Sequence, residues 1–69
     1  MIRFGHFYIG NRFVVYDLAA ELVLEQPRWV ATLSENPAIH FDGVDPDEAV
    51  AALRRYVEQM QAFNAMQAA

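Results

Sequence analysis

The stretch "HFDGVDPDEAVAALRRYV", residues 40–57, decides the fold of this chain. It reads as the end of a strand, a break at Gly43, and a helix started by several local signals at once. Asp45 is a favoured N-cap residue. Pro46, at the first helical position, gives up only an N–H that would have had no partner. Asp47 and Glu48 place negative charge at the positive end of the helix dipole. Glu48, three residues beyond Asp45, has the spacing of a capping box. Beyond this start, Ala49, Leu53, Tyr56, Met60 and Phe63 recur at alternating steps of four and three, forming one apolar stripe that Val50 and Val57 widen. Arg54, Arg55, Glu58, Gln59 and Gln61 fill the opposite side. The spacing predicts a helix over about residues 46–65 that packs on a sheet, with the tail "NAMQAA" expected to fray.

Upstream, the chain reads as strands. "IRFGHFYIGNRFVVYDL" gives two runs of β-branched and aromatic residues, over about 2–9 and 12–18, around Gly10-Asn11. Both residues of that loop tolerate the positive φ that primed hairpin turns use. Gly5, inside the first run, suggests a bulge or the close approach of another backbone. "RWVATLS", over about 28–34, alternates, with Trp29, Ala31 and Leu33 on one face and Val30 and Thr32 on the other. Pro37 ends that pattern, and a short strand follows over about 38–42. Residues 17–26 read two ways. Asp17 would cap a short helix ended by Pro27; alternatively "ELVLE" is a strand and "QPRW" a turn with proline in its second position. The strand is preferred. The fold class is therefore α+β: one domain over 1–69, an antiparallel sheet of about four strands in a β-meander, and one long C-terminal helix packed on one face.

Composition narrows the function. A chain of 69 residues buries only about 60% of its unfolded surface, and 55% of these residues are apolar. Part of that apolar surface is expected to be covered by a second copy or another protein. The chain has no cysteine, hence no disulfide and no thiolate ligand. Nine acidic residues against five arginines give a net charge of −4, the reverse of the basic stripe that a nucleic-acid binder carries. The N-terminal "MIRFGHFYIG" is too short and polar for a signal peptide, and no apolar run spans a bilayer. A cytoplasmic protein is expected.

The residues that carry chemistry are sparse. His40 and Asp42 alternate on one strand and point the same way, but two ligands fall short of the three or four of a metal site. Ser34 and Thr32 lack the surroundings of an activated nucleophile, and the glycines are isolated. The acids Asp45 and Asp47 are accounted for by helix capping. No catalytic residue, metal or cofactor is expected, and the chain is not read as an enzyme. Phe4, Phe7, Phe13 and Phe41 read as core. Tyr8, Tyr16 and Trp29 combine large area with a polar handle and are the candidate partner-binding residues. Met60, Phe63 and Met66, on later helix turns that a small sheet does not reach, are the candidate dimer contacts.

Over residues 28–57 the sequence resembles the HicB-like antitoxin domain. Trp29-Val30-Ala31 matches the family's strand ending, Asn36-Pro37-Ala38 stands at its turn, and Gly43-Val44-Asp45 with Asp47-Glu48-Ala49 stands at its helix entry. The resemblance implies a homo-oligomeric module that docks onto a small basic RNA-cleaving toxin and blocks its active site. Acidic charge is in keeping with such a target. The function expected is thus a non-enzymatic, antitoxin-like protein-binding module that occludes a basic partner. The alternative is a self-assembling homodimeric protein of a mobile element, with a ligand or interaction cleft between its two copies.

Overall fold

The computed structural model describes residues 2–68. Four strands, β1 (Ile2–Ile9), β2 (Arg12–Val23), β3 (Gln26–Leu33) and β4 (His40–Gly43), precede one helix, α1 (Pro46–Ala68). The strands form a single sheet in chain order, every pair antiparallel. This is the α+β meander with one long C-terminal helix that the sequence pattern predicts.

Strand alternation sorts the side chains between two faces. Phe7 of β1, Val14 and Leu18 of β2, and Ala31 and Leu33 of β3 lie on one face, where Ala49, Leu53 and Val57 of α1 close over them. These eight residues make one continuous core. Leu53 is its most enclosed large side chain, fully removed from solvent; burying a leucine contributes about 1.5–3 kcal/mol. The helix lies chiefly over β3 and β4. Its N-terminus is seated as the capping residues dictate: the Glu48 backbone N–H donates to Asp45 Oδ1 at 2.8 Å. Gly43 lets it come close, since a Cβ there would stand 2.7 Å from the Ala49 nitrogen.

Several local expectations change. Over residues 17–26 the preferred strand reading holds and only the turn moves: β2 runs straight on to Val23 and turns at Leu24-Glu25, so β3 begins at Gln26. Gln26 and Pro27 are therefore strand rather than turn. Pro27 is tolerated because β4 reaches only as far as Trp29, leaving the outer side of β3 open at Pro27. Gly5 makes no bulge, as β1 and β2 pair without interruption from Ile2↔Ala19 to Ile9↔Arg12. What approaches Gly5 is the ring of Tyr16, which occupies the space a Cβ would need. β4 starts at His40 rather than at residue 38, and α1 continues through Ala68, past the expected end near residue 65.

The buried part of the helix stripe is confined to its earlier turns. Ala49, Leu53 and Val57, at steps of four, are buried; Tyr56 is half-buried against Phe41, with ring centroids 5.5 Å apart; Met60 and Phe63 are exposed. Length explains this. A helix of 23 residues is about 34 Å long, whereas β4, with four residues, spans about 13 Å. The later turns of α1 have outrun the strand beneath them.

Candidate functional site

β2 and β3 are longer than their neighbours at one end. Among the described residues, β1 pairs with β2 only up to Ala19, and β4 pairs with β3 only up to Trp29. Residues 20–28 therefore form a two-stranded ribbon that projects beyond the four-stranded body, next to the start of α1. Leu22, on the helix side, is 76% exposed because no helix covers that part of the face. Leu24, at the tip, is 93% exposed. Leu24 and Glu25 both have positive φ, 51° and 65°, as the central pair of a primed hairpin turn must. Neither is a residue that adopts this conformation easily, and a bulky side chain there is strained.

The charges are distributed unevenly around this end. Arg12 pairs with Glu35, Arg28 with Asp42 at 2.9 Å, and Arg54 with Glu58 at 3.0 Å. Among the described residues this leaves six acids without an ion-pair partner: Asp17, which accepts from Ser34, Glu21 and Glu25 on the ribbon, and Asp45, Asp47 and Glu48 at the helix start. The ribbon end thus combines exposed leucines with unneutralised carboxylates.

The opposite face of the sheet carries a second exposed group. Phe4, Tyr8, Phe13 and Val15 all point away from the helix and are exposed. The rings of His6, Tyr8 and Phe13 form a cluster with centroids 5.1–6.0 Å apart. Phe4 and Phe13, which read as core in the sequence, are surface residues here. Their strands do alternate, but β1 and β2 carry apolar residues on both faces and the helix covers only one.

The three candidate partner-binding aromatics are not brought together. Tyr8 belongs to the open-face cluster. Tyr16 is half-buried on the helix side, stacked on Phe7 with centroids 5.9 Å apart. Trp29, also half-buried on that side, lies beneath the guanidinium of Arg3 at 5.7 Å. Met60, Phe63 and Met66 are exposed along the helix overhang. His40 and Asp42 share the open face, but the Asp42 carboxylate is engaged by Arg28 Nε, and Ser34 Oγ donates to Asp17 Oδ1 at 3.2 Å. No group of three or more potential metal-ligating side chains occurs among the described residues. Nor, among them, is any helix long and apolar enough to cross a membrane. A cleft of about 340 Å³ lies between α1 and the loop before β4, lined in part by Arg12, Glu35, Tyr56 and Met60. Its one arginine is already paired with Glu35.

The ribbon residues Leu22 and Leu24 escape sequence reasoning because "ELVLE" looks like any buried run. The available signal is register: with Ala31 and Leu33 facing the core opposite Leu18 and Tyr16, the turn has to fall at Leu24-Glu25. Set against family models, curated proteins and solved structures, this chain matches none of them.

Proposed function

We propose that this chain is a non-enzymatic protein-binding module that occludes a basic partner with the projecting end of its sheet. The observation that carries this reading is the β2–β3 ribbon. It holds Leu24, almost wholly exposed, at the tip of a turn whose backbone suits glycine or asparagine. A free chain gains nothing from that arrangement. A leucine entering a partner's pocket does, because apolar anchors supply most of the energy of an interface. Glu25 beside it, Glu21 on the same ribbon, and Asp45, Asp47 and Glu48 at the helix start place negative charge at this end of the molecule, which favours a basic surface and speeds encounter with it. The acidic balance of the whole chain and the HicB-like resemblance over residues 28–57 point in the same direction. A toxin-like enzyme with a basic active-site cleft is the partner class this chemistry suits.

The test is co-expression with the product of the adjacent open reading frame, one of the two tagged, followed by co-purification at increasing salt. A complex that forms at low salt, weakens as salt rises and is lost on Leu24→Asp supports the reading. A complex indifferent to Leu22→Asp and Leu24→Asp places the contact elsewhere and overturns it. So does the absence of any complex. A second reading, assembly into a homodimer, is supported by a different surface, the outer edge of β1.

A further inference from the structure

We infer that β1 is the seam of a homodimer, pairing antiparallel with β1 of a second copy about a two-fold axis at His6. This would join two four-stranded sheets into one of eight strands, and it is independent of the ribbon.

The sheet has two edges, and they differ. β4 is four residues long, follows closely on Pro37 and carries Asp42. Short length, proline and charge are the usual means of keeping an edge from pairing. β1 has none of them beyond Arg3: it is eight residues long, pairs with β2 without a bulge, and contains no proline, lysine or acid. Its outer row of backbone groups is open to a further strand.

Charge and symmetry both favour a second copy of this chain as that strand. Two molecules of net charge −4 repel each other over most of their surface. Residues 1–16 are the longest stretch without an acid, and β1 lies within it, so this edge is where two copies approach with least repulsion. Antiparallel pairing about His6 is self-complementary along the strand. Phe4 stands opposite Tyr8 of the second copy, extending an aromatic row already formed by His6, Tyr8 and Phe13. Gly5 stands opposite Phe7 of the second copy on the helix side, where each Phe7 stays within its own core. Arg3 meets Ile9 of the second copy, so no two cations oppose each other. A shift of one residue would turn the second helix to the other side of the sheet and break the aromatic row.

The surface area agrees. The chain exposes 5052 Å², whereas a compact protein of 7.9 kDa exposes about 4,400 Å². The surplus, about 650 Å² per copy, belongs to the whole molecule, ribbon and helix overhang included, and is of the order that a standard interface of roughly 800 Å² per partner removes.

The absence of native cysteine allows a clean test by single-cysteine crosslinking with light scattering. The wild-type chain is expected at about twice 7.9 kDa at micromolar concentration. Oxidised His6→Cys should form a covalent dimer, because facing residues of adjacent antiparallel strands lie within disulfide reach. His40→Cys, on the opposite edge, should not. His6→Lys sets two lysines against each other and should weaken self-association at least tenfold, with His6→Ala, which removes the same ring contacts without adding charge, as the control for the fold. A monomeric wild type overturns the proposal. So does a dimer that persists in His6→Lys, or one that crosslinks through Phe63→Cys but not through His6→Cys. Loss of ribbon binding with the dimer intact would leave this seam standing and remove the occlusion reading alone.

Discussion

Two hairpins in this sheet close with two-residue turns of opposite chemistry. The β1–β2 turn is Gly10-Asn11, and Gly10 takes a φ of 60°, where glycine pays nothing for lacking a Cβ. The β2–β3 turn is Leu24-Glu25, with both residues in the same left-handed region and Leu24 almost wholly in water. The first turn lies beside α1, close to Gln61, at the end of the molecule the helix overhangs. The second lies on a ribbon nothing covers. A turn built from the residues its geometry favours serves the fold. A turn built against them is held by register alone, and it leaves an apolar side chain presented outward. That contrast separates the part of the molecule that carries stability from the part available for recognition.

The largest effect should come from the body that anchors both turns. Leu53→Ala removes the most enclosed large side chain of the core and should cost about 2–5 kcal/mol in urea unfolding. A loss below 1 kcal/mol would mean that the helix contributes little to the sheet. The turns themselves should respond with opposite signs. Gly10→Ala meets open space, with only Gln61 Nε2 nearby at 3.9 Å, so its expected cost of about 1 kcal/mol is purely conformational. Replacing Leu24-Glu25 with Asn-Gly should instead stabilise the chain by about 1 kcal/mol while weakening partner binding. If both changes destabilise equally, the distinction between the turns disappears.

A helix cap provides a reference for local signals within the body. Asp45→Ala removes the acceptor of the Glu48 N–H bond and should cost about 1 kcal/mol, measured by thermal unfolding. The smallest effect is expected on the solvent side of α1. Glu58→Ala breaks an exposed i,i+4 pair with Arg54 and should cost about 0.3–0.5 kcal/mol, less at high salt.

The helix start was legible because its information is local. Asp45, Pro46, Asp47 and Glu48 act on backbone groups within one turn of themselves, so no knowledge of the rest of the chain is needed. The first hairpin was legible for the same reason, through Gly10-Asn11. Gly5 is half legible: it marks a close approach, but by the Tyr16 side chain rather than by backbone, and nothing near Gly5 in sequence indicates that. Residue type singles out Tyr8, Tyr16 and Trp29 but does not specify the face. Alternation then separated Tyr8 from the other two. Phe4 and Phe13 were read as core because apolar residues occupy both sides of β1 and β2, and the side the helix would cover is not written in either strand.

The sequence alone determined the element types outside residues 17–26, the order of the last strand and helix, the cap at Asp45 and the turn at Gly10, because these rest on contacts among residues close along the chain. Tertiary structure decided where β2 ends, which face of the sheet is wet, and that Leu22 and Leu24 stand in solvent. The reason is physical. Register follows from burying Leu18, Ala31 and Leu33 under Leu53 and Val57, residues far apart in the chain, and the energy of that shared core outweighs the about 1 kcal/mol of strain at Leu24.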